Sequence, residues 1–287
     1  MANIFNTILF YPFLNILLSF YHLLGDNLGL AIIVFAIIVR LAMIPLTKKQ
    51  LDMTKKMASL QPELQKLQKK YANNQEKLSQ EQMKLYKKVG YNPLGCLGTF
   101  VPQLIILSAL FGVIRALSTD VLEGVYPFIK SWVFGSAEAT INTTFLWWDL
   151  KESYNAISSE FGRFSMQALP YFVLALFVGL SQYLSTNFSQ KIQKQGTPQP
   201  KKGKKTEQMS QLEMQEKSNK MMMAIFPIMT IFIAFSSSSA LSVYWVVQSF
   251  ALVIQYLLLD IQKSKDFLKG SFLGKILSKE KKAKNKK

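Results

Sequence analysis

LGLAIIVFAIIVRLAMIPLTKK, residues 28–49, is an apolar run that holds one arginine, Arg40, and ends on two lysines. A helix needs about 20 predominantly apolar residues to cross the hydrocarbon core of a bilayer. The run therefore predicts a first transmembrane helix over residues 25–47.

Four further segments are apolar enough to cross a membrane. The last two share residues 221–259, a stretch of 39 residues without an acid or a lysine, and Ser236–Ser239 in its middle predict a tight turn. The fold class that follows is an all-α integral membrane protein with a bundle of five transmembrane helices. The four additional predicted spans are residues 93–118, 166–189, 220–236 and 240–260.

Charge between the spans predicts the orientation. Residues 48–92 hold eleven lysines and four acids, residues 190–219 seven lysines and three acids, and the tail 261–287 ten lysines and two acids. Residues 119–165 hold six acids against two lysines and one arginine. Because basic loops stay on the cytoplasmic side, we expect the acidic loop and the N-terminus outside and the C-terminus in the cytoplasm.

The N-terminal residues 1–24 are ambiguous. They are apolar, but Pro12 interrupts them and polar residues such as Asn15 and His22 are spread through them. No lysine or arginine precedes Arg40, so the cationic start of a signal peptide is missing. We expect an amphipathic helix at the membrane interface, with a sixth span as the alternative.

Three polar segments are expected to be exposed. Leucines at helical spacing on both sides of Asn73-Asn74 predict a cytoplasmic helical hairpin over 48–92, either a spacer or a docking arm. The basic tail, residues 261–287, is able to bind the ribosome through its RNA, to bind membrane lipids, or only to orient the last span. Trp147-Trp148 favour an anchor at the headgroup level over a ligand cage.

Most enzyme chemistry lacks its residues. The chain has one cysteine, Cys96, and one histidine, His22, and it contains no glycine-rich phosphate loop. We therefore expect no catalytic site, no metal site and no cofactor, and no feature suggests DNA as a partner.

Arg40 is the strongest candidate functional residue. A charge inside a bilayer costs several kcal/mol, and eight residues of helix place Arg40 about 12 Å from Lys48. The side chain either reaches up to the headgroups or faces a water-filled cavity. No Asp or Glu occurs in any predicted span, so a cavity arginine would await an anion from another molecule. Polar residues on the other spans would line such a cavity or hold helices together: Gln103, Ser108, Gln182, Ser185, Thr230, Gln248 and Gln255.

Several motifs together resemble the YidC/Oxa/Alb family of membrane protein insertases. The opening run with MASLQPELQKLQKKY is similar to the family's first core span and cytoplasmic hairpin. The resemblance continues through NPLGCLGTFVPQLIILSALF, FLWWDL and FPIMTIFIAFSSSSALSVYWVVQSFALVIQYLL, in family order from about Leu28 to Gln262.

The resemblance implies a polar groove, open to the cytoplasm and to lipid, through which nascent membrane proteins enter the bilayer without nucleotide hydrolysis. Arg40 matches the family's groove arginine, and Gln182 with Tyr244-Trp245 matches positions that line or close the groove. Gln103 and Gln248 complete the expected polar set. Apolar residues on the second and fourth spans would form a hydrophobic slide for the client helix: Ile105, Leu110, Phe226 and Ile233.

The resemblance also implies partners and a location. Nascent chains, the ribosome, targeting factors and the general translocase are expected at the hairpin and the tail, in a bacterial plasma membrane. The chain departs from the family at Ser236–Ser239, which replace a Pro-Ser/Ala-Gly turn, and at Gln248. It also lacks a lipobox cysteine and a large outer domain, which is typical of a short bacterial form.

Two other functions remain open on the sequence. A transporter or channel for a small anion would also use a buried cation, although no clear inverted repeat is present. A chaperone that assembles other membrane proteins, with no insertion of its own, would share the family's motifs.

Overall fold

A computed structural model of the chain describes residues 2–72, 74–88, 90, 97–118, 124–135, 140–194 and 211–259. Several sequence-based expectations lie outside this described part. They concern Asn73 and Val89 in the predicted hairpin, the NPLGC motif at 92–96, the side chains of Pro102 and Gln103, most of the loop 190–219, and the tail 261–287.

The N-terminal segment is helical from its first described residue. Helix α1 (Ala2–Phe5) continues through a π-helical turn, Asn6–Phe10, into α2 (Tyr11–Leu23). A tight turn at Gly25 and Asp26, both with positive φ, separates α2 from α3 (Leu28–Ala42). The Asn27 side chain caps α3 by accepting a hydrogen bond of 3.0 Å from the Leu30 amide.

A bend of 46° separates α3 from α4 (Ile44–Lys70) at Met43. Pro45 follows at once, and a proline inside a helix removes one backbone donor and clashes with the preceding turn. Helix α5 (Gln75–Lys88) contacts α4, and Asn74 caps it by accepting a 2.9 Å hydrogen bond from the Lys77 amide. Pro62 lies inside α4.

The middle of the chain combines one long helix, α6, with several short elements. Helix α6 (Leu97–Ser118) precedes α7 (Pro127–Phe134), and α8 (Tyr154–Phe161) follows a small antiparallel sheet. The sheet pairs β1 (Thr144–Phe145) with β2 (Trp148–Asp149). The ring of Phe145 lies against Gly29 of α3, where a larger side chain would overlap it.

Three long helices complete the bundle. They are α9 (Leu169–Lys194), α10 (Gln211–Ser236) and α11 (Ser239–Leu259), so the chain turns at Ser237-Ser238, within the serine run. Helix α9 packs against both α10 and α11, and α11 also packs against α3. Gly179 lets α9 approach Ile231 of α10 closely.

The main core lies where α2, α3, α6 and α11 meet. Leu14, Leu17 and Leu18 on one face of α2 are fully buried in it, beside Phe35 of α3 and Val113 of α6. The N-terminal helix is therefore a packed part of the bundle on one face. Ile4, Ile8 and Ile16 are exposed on the same segment. Its position at the interface, or across the membrane, stays a prediction.

Two described helices, Leu169–Lys191 and Ser239–Leu259, are long and apolar enough to cross a membrane. The bent pair formed by α3 and the start of α4 would add a third. The apolar part of α10, Ile225–Ser236, is shorter than a full span. The helical fold class is confirmed, and the count of five spans stays a prediction.

Candidate functional site

Arg40 lies in the last turn of α3, just before the bend. Its side chain is partly buried, and its Nε atom is buried with no hydrogen-bond partner among the described residues. The ion pairs in the described part of the chain do not include Arg40. The structure therefore holds a guanidinium in an apolar helix bundle without a counter-ion from the residues that it describes.

Two tyrosines of α11, Tyr244 and Tyr256, lie near the Arg40 guanidinium. Tyr244 is fully buried in the main core, whereas Tyr256 is buried in a smaller cluster with Leu51 of α4. Arg40 consequently lies between the tightly packed core and the start of α4.

Helices α3 and α11 run in the same direction beside each other. Both begin near the small sheet, because Gly29 of α3 meets Phe145 and Ala240 of α11 donates a hydrogen bond to the Leu150 carbonyl. Further along, Gln248 Nε2 donates a 2.9 Å bond to the Ala36 carbonyl. Arg40 lies one helical turn beyond that carbonyl, about 6 Å along the axis.

Gln182 reaches the same region from α9. Its Oε1 atom accepts a hydrogen bond of 3.2 Å from Ser249 Oγ, and Ser249 is the neighbour of Gln248 on α11. The structure thus brings two of the predicted groove residues, Gln182 and Gln248, to one level of the bundle near Arg40. Both amides form bonds with other helices, so they also join α9 and α3 to α11.

Gln255 differs from these two glutamines. Its side chain is 4% exposed, and neither its Nε2 nor its Oε1 atom has a hydrogen-bond partner among the described residues. Seven residues separate it from Gln248, which is close to two helical turns and keeps both on nearly the same face of α11.

Three other buried hydroxyls donate to nearby backbone carbonyls. Ser185 and Thr230 donate to carbonyls three residues earlier, and Thr47 donates to the carbonyl of Met43. Trp245 is partly buried and packs against both the main core and a cluster of α9 and α10 that contains Val178. Gln103 lies on α6, with its side chain outside the described part.

The predicted slide residues differ in exposure. Ile105 on α6 is 36% exposed and Ile233 on α10 is 39% exposed, whereas Phe226 is partly buried. Leu110 is fully buried in the main core, so it supports the wall of α6 and presents no surface to a client in this conformation. Helix α10 also exposes a continuous set of large apolar residues: Ile225, Ile228, Met229 and Phe232.

The other end of the bundle, which we call the strand end, comprises β1, β2 and the starts of α9 and α11. Here Tyr171 Oη accepts a 2.9 Å bond from the Asp149 amide, and Thr143 Oγ1 donates a 2.6 Å bond to the Asp149 carboxylate. Ser239 Oγ donates to the carbonyls of Asp149 and Glu152 at 2.8 and 3.0 Å. Trp147 is exposed, whereas Trp148 packs against the core.

The α4–α5 pair carries a dense set of exposed charges. Glu63, Lys66 and Lys70 of α4 line a cleft together with Glu81 and Lys84 of α5. Lys84 Nζ donates a hydrogen bond of 2.6 Å to Glu81, and this bond raises the pKa of the Lys84 amine. With Lys88 the lining has four lysines against two glutamates, so the cleft carries a net positive charge.

Sequence reasoning missed Ser249, Tyr256 and the bonding role of Asp149. The sequence does contain an indication for two of them, because Ser249 directly follows Gln248 and Tyr256 directly follows Gln255. No sequence signal shows that Asp149 bonds to Thr143 and that the Asp149 amide bonds to Tyr171, since these contacts depend on how the sheet meets the bundle.

A bundle of long apolar helices with a partly buried arginine is a helical membrane protein. The profile of the 60Kd inner membrane protein family matches residues 19–266. The chain therefore belongs to this family, and the resemblance to the YidC/Oxa/Alb proteins is confirmed.

Three relatives illustrate the match. Membrane protein insertase YidC 2 of Bacillus anthracis is 32% identical over 263 residues, which are 90% of this chain and 82% of the relative. Membrane protein insertase MisCA of Bacillus subtilis (strain 168) is 31% identical over 88% of this chain and 79% of its own length. Membrane protein insertase YidC of Staphylococcus aureus (strain JH9) is 28% identical, with 82% and 67% covered.

Proposed function

We propose that this chain is a membrane protein insertase, which moves segments of nascent membrane proteins from the cytoplasm into the bilayer without hydrolysing a nucleotide. The names of its relatives support this function. The observation that carries the mechanism is Arg40, a buried cation that lacks a counter-ion among the described residues. Its natural complement is an anionic group that arrives with the client.

Arg40 attracts the short acidic tail that a client must carry across the membrane. An arginine remains charged in an apolar setting, and its guanidinium forms paired bonds with a carboxylate. Gln103, Gln182 and Gln248, with Tyr244 and Trp245, line the groove around it. These groups shorten the apolar path that the tail has to cross.

The apolar segment of the client moves along a hydrophobic slide. Ile105, Phe226 and Ile233 form its surface, and Leu110 supports it from within the core. Transfer of the segment into lipid supplies the driving force, at about 25 cal/mol for each Å² of apolar surface removed from water. No other energy source is needed for this step.

The proposed topology follows from the charges of the loops. Five spans cross a bacterial plasma membrane, the strand end lies outside and closes the groove there, and the C-terminus is cytoplasmic. The α4–α5 pair forms a cytoplasmic hairpin that, with the basic tail 261–287, receives the ribosome, targeting factors or the general translocase. Lipid headgroups are a further partner of the tail.

Reconstitution of the purified chain in vesicles tests this function. A single-span client with an acidic tail is released from ribosomes outside, with no translocase present and with nucleotides removed after synthesis. Protection of the tail from added protease in proportion to the amount of chain supports the proposal. Protection only with a co-reconstituted translocase would indicate an assembly chaperone. Anion flux without protection would indicate a transporter.

A further inference from the structure

Gln255 is a buried side chain of α11 whose amide nitrogen and oxygen both lack a hydrogen-bond partner among the described residues. An amide in an apolar setting without hydrogen bonds costs free energy, and removing such a group is often neutral or stabilising. The matched residue Gln248 is bonded to Ala36, and Gln182 is bonded to Ser249. Gln255 forms no equivalent bond to a described residue, so its burial adds no stability that the structure shows.

The position of Gln255 relates it to Arg40. Gln248 of α11 donates a hydrogen bond to the carbonyl of Ala36 on α3, which places these two residues at the same level. Arg40 lies about 6 Å beyond Ala36 along α3, and Gln255 lies about 10 Å beyond Gln248 along α11. Since the two helices run in the same direction, Gln255 comes just past Arg40, near the bend where α3 ends. Its neighbour Tyr256 lies near the Arg40 guanidinium.

The chemistry of the side chain selects its ligand. A glutamine amide carries two donors and an acceptor at a fixed spacing, so it complements a group that also donates and accepts. A peptide group has this composition, with one N–H and one C=O. A carboxylate or a lipid phosphate accepts only, and would leave the Gln255 oxygen without a partner.

We propose that Gln255 binds a main-chain peptide group of the client tail while Arg40 binds its carboxylate. This inference rests on the proposed insertase function. An extended tail carries an unsatisfied peptide group at every residue, and each one costs several kcal/mol in the hydrocarbon region. Gln255 satisfies one of them whatever the tail sequence, whereas Arg40 selects tails by charge.

The test compares Gln255→Met with two reference variants in reconstituted vesicles. Methionine keeps the length and the unbranched shape of the side chain and removes its hydrogen bonds. Gln248→Met is the matched control, because it removes the same group from the same helix where the amide is bonded to Ala36. Arg40→Ala measures how much insertion depends on the charge of the client tail. The clients carry an acidic tail or an uncharged tail of equal length.

Gln255→Met is expected to slow insertion of both clients about three- to tenfold, which is the range for the loss of one hydrogen bond. Its thermal unfolding midpoint should equal or exceed that of the parent chain, whereas Gln248→Met should lower the midpoint. Arg40→Ala should slow the acidic client much more than the uncharged one.

A proline scan of the client tail identifies the contact. Proline has no N–H, so one tail position should insert more slowly with proline, and this loss should disappear in Gln255→Met. If the slowing by proline and the slowing by Gln255→Met multiply at every tail position, Gln255 does not bind the main chain of the tail.

Three further results would overturn the inference. They are unchanged insertion in Gln255→Met, a loss restricted to the acidic client, and a midpoint lowered as much as in Gln248→Met. If Arg40→Ala still slows the acidic client, only the role of Gln255 is lost. If neither Arg40→Ala nor Gln255→Met changes insertion of any client, the groove of the proposed function fails as well.

Discussion

The two ends of the bundle treat buried polar groups in opposite ways. At the strand end, Asp149, Tyr171 and Ser239 are joined by hydrogen bonds that link the sheet to α9 and α11. At the arginine end, which we define as the last turn of α3 with the second half of α11, Arg40 Nε and the Gln255 amide have no partner among the described residues. Exceptions at the strand end are Trp148 Nε1 and Ser237 Oγ.

The difference indicates that the ends serve different purposes. Bonds between elements hold the strand end in one arrangement, which suits a permanent closure. Unsatisfied groups at the arginine end lower stability and are retained where they act on another molecule. Substitutions at the strand end should therefore reduce stability, and substitutions at the arginine end should reduce activity.

Tyr244 lies between the two ends and should give the largest effect on stability. Its ring is fully buried in the main core, so Tyr244→Ala leaves a cavity and should lower the free energy of unfolding by about 3–5 kcal/mol. Tyr244→Phe keeps the ring and should cost less than about 1.5 kcal/mol. Denaturant unfolding in detergent micelles measures both variants.

Comparing Tyr244→Ala with Tyr244→Phe shows whether the Tyr244 hydroxyl acts in stability or in insertion. If Tyr244→Phe stays folded but loses insertion as fully as Tyr244→Ala, the hydroxyl acts with Arg40 in the groove. A large loss of stability in Tyr244→Phe would contradict the burial of the ring as the main contribution.

Arg40 should give the largest effect on function. Arg40→Ala removes the charge that we propose binds the tail, and we expect insertion of acidic clients to fall about 10- to 100-fold, as for the loss of a charged hydrogen bond. Arg40→Lys keeps a charge and should be milder. The unfolding midpoint should not fall, because the guanidinium has no ion pair with a described residue to lose.

Lys48→Ala is the matched control, since it removes an exposed positive charge two turns further along the chain. It should leave insertion close to that of the parent. Equal insertion of acidic and uncharged clients by Arg40→Ala would refute the electrostatic role. The proposed link between the arginine end and activity would then fail, and only the link between the strand end and stability would remain.

Much of the fold follows from local patterns in the sequence. The serine run predicts the turn between the last two helices, and the break lies at Ser237-Ser238. The isolated arginine in residues 28–49 points directly to the candidate site, because a charge in an apolar run is visible without any tertiary information. Gln182 and Gln248 were predicted for the same reason, and the structure places them near each other.

Features that depend on contacts between distant segments could not be predicted. Residues 1–24 were predicted to lie at the membrane interface, and the packing of α2 against α3 and α6 is visible only once those helices are placed. Leu110 looks like any apolar residue of its helix, yet it lies in the core. Gln182, Gln248 and Gln255 look alike in sequence, and only the structure separates Gln255 from the two that are bonded.

Asp149 should give the larger effect at the strand end. Its carboxylate accepts bonds from Thr143 Oγ1 and the Lys151 amide, so Asp149→Ala should lower the free energy of unfolding by about 2 kcal/mol. Glu160 of α8 is an exposed acid, so Glu160→Ala serves as the control and should have little effect. A loss of client selectivity with unchanged stability in Asp149→Ala would reverse the contrast between the ends.

Tyr171 gives the smallest and most specific test. Tyr171→Phe removes only the hydroxyl that accepts from the Asp149 amide, and we expect a loss of about 1 kcal/mol in unfolding free energy. Tyr183→Phe removes an exposed hydroxyl from the same helix and should change nothing measurable. Since both variants keep Arg40 and Gln255 intact, acidic and uncharged clients should insert in the same ratio as with the parent chain. A changed ratio in Tyr171→Phe would mean that the strand end takes part in client selection and is more than a closure.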